Sequence, residues 1–230
     1  MDRFLFPQWI DRIRPLAGAL LAVVPLYLLG VVYYGGSPRT THLNYSPEQP
    51  VAFSHAQHAG ELGIDCRYCH NTVETAAHAA VPPTATCMNC HELIGTDSAK
   101  LLVVQESAAS GQPIPWIRVH DLPDYVFFDH SVHVSKGVGC VACHGRIDRM
   151  EQVSQGPWFD PVEQVEKVNT LSMGWCLDCH NNPGPSLRPL EHITDMDWIP
   201  GEDRLVLQDR LLKRYNIREQ ASTDCSTCHR

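Results

Sequence analysis

Phe128–His144 reads FDHSVHVSKGVGCVACH. Its last five residues, Cys140-Val-Ala-Cys143-His144, have the C-x-x-C-H spacing that attaches a c-type haem. Two thioether bonds would tie a porphyrin to Cys140 and Cys143, and His144 would meet the iron from one side. Upstream, Phe128-Asp-His130-Ser-Val-His133 offers two more imidazoles, three residues apart, for the other side. The stretch thus holds an attachment site, a proximal ligand and two candidate distal ligands. How often it recurs decides the fold.

The chain has ten cysteines, and every one falls in such a motif. The five motifs are Cys66/Cys69/His70, Cys87/Cys90/His91, Cys140/Cys143/His144, Cys176/Cys179/His180 and Cys225/Cys228/His229. A disulfide framework gives no reason for a histidine directly after each second cysteine. Zinc sites use C-x-x-C pairs too, but take their histidines at longer and varied spacing. The pattern predicts five covalently attached haem c groups. Under about 40 residues would then cover each one, so the macrocycles supply much of the buried apolar surface. The expected fold is a multihaem cytochrome c: mostly irregular, with short α-helices around five haems and one N-terminal transmembrane helix. A chain so dependent on covalent staples is expected to be unfolded without them. A net charge of −8 gives no reason to expect nucleic acid. Haem propionates would add to it, which suits a docking partner with a basic face.

Upstream of the opening stretch the same unit appears in earlier form. Phe53-Ser-His55-Ala-Gln-His58 is followed by Gly63-Ile-Asp-Cys66. Against Phe128-Asp-His130-Ser-Val-His133 and Gly137-Val-Gly-Cys140, the match is Phe-x-His-x-x-His and a glycine three before the cysteine. This is an internal repeat with a period of about 75 residues, and each copy leads on to a second motif, at Cys87 and at Cys176. Residues 51–119 and 120–190 therefore read as two haem pairs, and 191–230 as the region of a fifth haem.

Residues 1–36 precede this as a stub and an anchor. Leu16–Tyr34, LAGALLAVVPLYLLGVVYY, is uncharged and almost wholly apolar, near the length that crosses a bilayer as a helix. Pro25 sits in its middle, which membrane helices tolerate, and Tyr27, Tyr33 and Tyr34 cluster toward its far half. A cleaved signal peptide would want a shorter apolar run and a better cleavage site than Tyr33-Tyr34-Gly35-Gly36. Arg3, Arg12 and Arg14 come before the segment, predicting a cytoplasmic N-terminus and an exported haem domain on an inner-membrane anchor. Residues 37–50, polar with prolines toward both ends, read as a linker. Later, Thr96–Glu106 reads as a short helix capped by Thr96 or Asp97, Trp116–Val119 as extended, and Asn181–Pro189 as a loop. Glu202–Asn216 reads as a helix with Leu205, Leu211, Leu212 and Tyr215 on one side, packed on the last haem.

The motif histidines, His70, His91, His144, His180 and His229, are the proximal ligands. The sixth ligand carries the functional meaning: a second His or Met closes the iron for electron transfer, whereas an open position admits substrate. A gap of three residues on a helix turns both imidazoles of a pair to nearly one face, so His55, His58, His130 and His133 are the first distal candidates. For the remaining iron, His78, His120, Met150 and Met173 compete. His42 and His192 match no motif, and a lone histidine is more often a surface residue. No nucleophile–base grouping and no glycine-rich nucleotide loop stands out, so nothing beyond redox chemistry is expected.

The anchor, the five motifs, VPPTATCMNCH, PIPWIRVHDLPDYVFFDHSVH, LSMGWCLDCH and the closing CSTCHR together resemble the pentahaem cytochrome c subunit of alternative complex III, a bacterial membrane complex that oxidises menaquinol. The Phe-x-His-x-x-His units also resemble the wider class III cytochromes c, where such histidines are distal ligands to different haems. The resemblance implies an iron–sulfur subunit, polytopic quinol-binding subunits and a monohaem cytochrome c as partners. It also implies a soluble periplasmic acceptor (a cytochrome or copper carrier) and a chain that is no enzyme by itself. Two other functions compete: a stand-alone membrane-anchored multihaem quinol dehydrogenase, and a catalytic multihaem reductase with one five-coordinate iron.

Overall fold

The structure, a computed structural model, describes residues 7, 9–35, 43–160, 165–168, 170–218 and 220–229. The chain divides into two compact units, 1–42 and 43–230.

The described part of the first unit is one helix, α1 (Trp9–Gly35). It starts seven residues earlier than the apolar run, because the charged stub continues the same helix: Asp11 and Arg14 pair one turn apart at 3.1 Å. Both Pro15 and Pro25 lie inside it, and no α1 residue is buried within the chain. At 1.5 Å per residue its 27 residues reach about 40 Å, more than the roughly 30 Å of a hydrocarbon core. Leu21, Leu29 and Val32 all stand more than 70% exposed, as a helix whose solvent is lipid would have them.

Residues 36–42, including His42, lie outside the described residues. The remainder of the expected linker is held by the second unit. Asn44 N–H donates to the Gln155 carbonyl and Gln155 N–H to the Tyr45 carbonyl, at 2.5 and 3.1 Å. Gln49 exchanges two hydrogen bonds with the Ile117 backbone, at 2.8 and 3.0 Å.

Through the second unit run short helices joined by irregular chain. The Phe53 segment makes one π-helical turn (Ala56–Glu61), then come α2 (Cys66–Cys69), α3 (Thr84–His91), α4 (Leu102–Ser110), α5 (His130–Ser135), α6 (Cys140–His144), α7 (Met173–Asn181), α8 (Arg204–Arg214) and α9 (Cys225–Cys228). Between α6 and α7 lies a two-stranded antiparallel hairpin, β1 (Pro157–Asp160) and β2 (Val165–Val168), registered Pro157 opposite Val168. It has no counterpart in residues 51–119, and the repeat gave no sign of it.

Local chemistry sets the boundaries. The expected helix over 96–106 begins later: Ser98, not Thr96 or Asp97, caps a 3-10 turn at Ala99–Leu101 by accepting from Lys100 N–H. That turn runs into α4, which stops at Gly111 in the left-handed region. The repeated glycine before each first cysteine has the same cause. Gly63 and Gly137 turn at φ +65° and +84°, where a side chain strains the backbone, and a Cβ on Gly137 would meet Tyr215 at 2.5 Å.

The apolar core is small. One cluster joins Leu187, Leu207, Leu211 and Tyr215, with Val138 and Trp198 against it. The other joins Val141 and Met196, with Cys66, Cys140 and Ile147 against it. α8 thus differs from expectation twice. Its inward side carries Leu207 and Leu211 while Leu205 is 74% exposed, and it packs on Leu187 and Val138 of the second pair rather than on the last motif. Leu211, 1% exposed, is the deepest side chain among the described residues. Leu211→Ala should lower stability by about 2–5 kcal/mol, read as an earlier loss of folded signal in thermal denaturation of the haem-loaded chain.

Candidate haem-binding sites

Each attachment motif lies on a short helix or at its end, in α2, α3, α6, α7 and α9. One helical turn brings cysteines three apart onto one face, and the histidine follows beside them. The turns are started locally. The Asp65 carboxylate accepts from Arg67 N–H at 2.8 Å ahead of Cys66, and Ser172 accepts from Trp175 N–H ahead of Cys176. Its bonds with Arg67 hold the Asp65 carboxyl down at about 2.

An imidazole that binds metal through Nε2 needs its Nδ1–H given to an acceptor, which fixes tautomer and ring orientation. The chain provides this repeatedly. His70 Nδ1 lies 2.7 Å from the Ala80 carbonyl, His91 Nδ1 2.9 Å from Ile94, His180 Nδ1 2.5 Å from Ser222 and His229 Nδ1 3.3 Å from Tyr125. Three of the four paired histidines follow the same rule: His58 to the Ser54 carbonyl at 2.8 Å, His130 to Ala77 at 2.8 Å and His133 to Asp129 at 2.7 Å, whereas the buried His55 Nδ1 has no hydrogen-bond partner among the described residues. Burial favours neutral rings. His144 is pushed down to about 3 by burial, then by His120 and His130, and His55 to about 4 by burial, then by His70 and His58. Neutral imidazole is the form a metal requires.

Ring spacing supplies a further test. A metal–imidazole bond of about 2 Å on each side, with roughly 1.2 Å more from nitrogen to ring centre, separates two axial rings by about 6.4 Å. His58 and His91 have ring centres 6.2 Å apart, His130 and His144 6.4 Å with planes at 12°, and His133 and His180 6.2 Å. The chain therefore fits c-type haem on three independent features: paired cysteines on one helical face, Nε2 left free, and facing rings one axial span apart.

The phenylalanine of the repeat also has a use. Phe53 stacks on His58 at 4.3 Å and meets His55 edge-on at 4.8 Å, and Phe128 does the same to His133 at 4.5 Å and His130 at 4.8 Å. Each Phe lies flat on one imidazole and edge-on to the other, so the two rings of a pair are steeply inclined to one another. That suits a pair serving two different irons.

The attachment cysteines also meet across motifs. Cys66 hydrogen-bonds Cys140, which raises the Cys66 thiol, and both pack on Val141 and Met196. Burial and then Cys87 push Cys69 up. Burial and then Cys179 and Cys176 push Cys143 up to about 12, and burial and then Cys228 push Cys176 up.

Of the other expected candidates, His120 sets its ring edge-on to His144 at 4.6 Å, too close for an iron between them. Its ring is buried there, which lowers its pKa. His78 is exposed, and its carbonyl accepts from Thr72 Oγ. Met173 is 62% exposed at the start of α7. Met150 is half-buried, and its carbonyl accepts from Ala56 N–H at 3.0 Å. His192 stacks on Trp198 at 5.4 Å. Tyr125 stacks on His229 at 6.0 Å. Two residues escaped sequence reasoning: Met196, buried between the first and third motifs, and Arg188, buried beside Gly139. Both lie in segments with no repeat to flag them.

Comparison with known proteins agrees with these features. Residues 126–230 match the family described as cytochrome c7 and related cytochrome c, and residues 36–109 match the class III cytochrome c family. The multihaem cytochrome c subunit of a menaquinone reductase from Nitratidesulfovibrio vulgaris is 38% identical over 146 residues, 59% of this chain and 69% of that protein.

Proposed function

This chain belongs to the multihaem cytochromes c, the family of the menaquinone reductase subunit that it matches, and on that premise we propose that it is an electron-relay subunit with five haems. The observation that carries the reading is the cross-wiring of the repeat. The second histidine of each Phe-x-His-x-x-His unit faces the histidine of the second motif downstream at 6.2 Å, skipping the adjacent one, His58 to His91 and His133 to His180. His130 faces His144; His55 is near enough to His70 for that ring to lower its pKa, and by the repeat we pair it with His70. Haem iron held between two histidines is closed to substrate and cycles between ferric and ferrous, one electron at a time. We assign His70, His91, His144, His180 and His229 as proximal ligands, and His55, His58, His130 and His133 as distal ligands.

We read the five attachment sites as one row, Cys87/Cys90, Cys66/Cys69, Cys140/Cys143, Cys176/Cys179, Cys225/Cys228, which is not their order in sequence; the hydrogen bond of Cys66 to Cys140 and the electrostatic influence of Cys87 on Cys69, Cys179 on Cys143 and Cys228 on Cys176 support it. Cys90 and Cys225, at its two ends, are exposed. Electrons would enter at one end and leave at the other. α1 would anchor the chain in the cytoplasmic membrane, with the N-terminus inside and the row on the periplasmic side. The partners would be an iron–sulfur subunit, polytopic quinol-binding subunits and a monohaem cytochrome, as in alternative complex III, with a periplasmic carrier as acceptor.

The relative's name favours a second reading, in which electrons run toward menaquinone; such a row conducts either way, and the potentials at its ends decide. Near-infrared magnetic circular dichroism of the purified membrane complex should count four His/His irons, with the fifth decided by whether a His/Met band accompanies them. A high-spin iron in the native complex would overturn the closed relay in favour of substrate chemistry. A chain isolated alone that reduces its haems with a menaquinol analogue would instead make it a stand-alone quinol dehydrogenase.

A further inference from the structure

The two copies of the repeat differ in length by one residue. Between the second histidine and the glycine before the cysteine, the first copy has Ala59-Gly60-Glu61-Leu62 and the second Val134-Ser135-Lys136. The first copy takes up its extra residue as the π-helical turn Ala56–Glu61, whereas the second is the α-helix His130–Ser135. A π turn closes its hydrogen bond one residue later than an α turn, so it holds an insertion without breaking the helix. Leu62 N–H accordingly donates to the Gln57 carbonyl, five residues back, at 3.0 Å. The rings keep their places, since Phe53 meets His58 and His55 as Phe128 meets His133 and His130.

The π turn is seated on the segment that follows the third motif. Ala56 N–H donates to the Met150 carbonyl at 3.0 Å, and a Cβ on Gly60 would overlap the Asp148 carbonyl oxygen. Gly60 is not in the left-handed region, so closeness rather than backbone conformation requires a glycine there. Asp148 is poorly placed to yield. The obstructing atom is backbone, and the buried Arg146 grips the Asp148 carboxylate through Nε and Nη2, at 2.8 and 2.5 Å, and Asp197 through Nη1 at 2.6 Å. In the second copy Ser135 stands at the same step after its histidine, and its hydroxyl donates to Val132 of its own helix at 3.1 Å. Ring spacing is the same in the two copies, but ring rotation is not. The planes of His58 and His91 lie at 62°, those of His133 and His180 at 46°.

We propose that Gly60 is a positioning residue for His58. By letting the π turn seat against Asp148, it fixes the rotation of the His58 ring on the iron of Cys87/Cys90. This rests on the assignment of His58 to that iron argued above. The angle between two axial imidazole planes orders the d orbitals of the iron, so the seat is one of the levers by which the protein tunes that haem.

The test is electron paramagnetic resonance of the full chain in its membrane complex, because the g values of a low-spin ferric haem follow that angle. Gly60→Ala should shift the g values of one low-spin haem in five. Ser135→Ala should shift none. Deleting Gly60 gives the first copy the spacing of the second, and should bring that haem's g values toward those of the haem on Cys176/Cys179; it carries the test if the alanine variant does not accumulate. Unmoved g values in whichever variant accumulates would overturn the proposal, as would a shift spread over all five haems, the mark of general loosening. His58→Ala keeps the two ideas apart. If it leaves the iron on Cys87/Cys90 low-spin, the premise fails, whereas a new high-spin iron there with unmoved g values in Gly60→Ala sinks only the role of Gly60.

Discussion

His133→Ala should convert one iron, that on Cys176/Cys179, from low-spin to high-spin, and leave the haem on Cys140/Cys143 as it was. Sequence adjacency predicts the opposite, since His133 lies seven residues before Cys140 and far from Cys176. The expectation rests on ring geometry. The His133 ring is 6.2 Å from His180, while His130 already faces His144 at 6.4 Å with nearly parallel planes. α5 is built to hold this division. Asp129 caps it, accepting from Ser131 and Val132 N–H at 2.9 and 3.4 Å, while the Asp129 carbonyl holds His133 Nδ1 and Ala77 holds His130 Nδ1. The repeat makes a second prediction of the same form, with His58→Ala opening the iron on Cys87/Cys90. Electron paramagnetic resonance should show a new high-spin signal for one haem in five in each variant. Those of His130→Ala and His133→Ala should be distinct and additive in the double variant. If both substitutions perturbed the same haem, the cross-wiring would be wrong.

The candidate attachment motifs were legible because they are local: five motifs, each within one helical turn, and a Phe-x-His-x-x-His pattern repeated at a fixed step. α1 was legible for the same reason, since apolarity over one segment needs no tertiary partner, though its charged first turn was not. What the sequence concealed depends on contacts across modules. His120 has the look of a ligand in WIRVHDLPD, but the fold spends it against His144. His130 takes its orienting carbonyl from Ala77, in the other haem pair, a partner no spacing rule reaches. Leu205 and Leu207 were exchanged because Arg204–Arg214 carries apolar residues on more than one side, so its period fits two phases. The inward one is chosen only by Leu187 and Val138.

Replacing Cys140 and Cys143 together by serine should prevent the chain from accumulating, whereas the same double change at Cys225 and Cys228 should cost one haem and spare the rest. Among the described residues, eleven apolar side chains fall into the buried class, and Leu211 alone is fully enclosed. That is too little for a domain of this length to stand without its cofactors. The two sites differ in what surrounds them. Cys140 packs on Val141 and Met196 with Cys66 alongside, and the rings of His120 and His130 stand 4.6 and 6.4 Å from that of His144. Removing the group there leaves desolvated imidazoles around a void. Each Å³ of void costs about 24 cal/mol, and the whole stability of a domain is only about 5–15 kcal/mol. Cys225 is exposed, and α9 reaches the rest of the domain chiefly through Val126, Phe127 and Tyr125. Haem-stained gels and the pyridine haemochrome spectrum of membranes give the readout. The expected result is near-total loss of haem signal for Cys140→Ser/Cys143→Ser, and loss of about one-fifth for Cys225→Ser/Cys228→Ser. Equal, partial losses from both would mean that each haem is held independently, and that the central site does not support its neighbours.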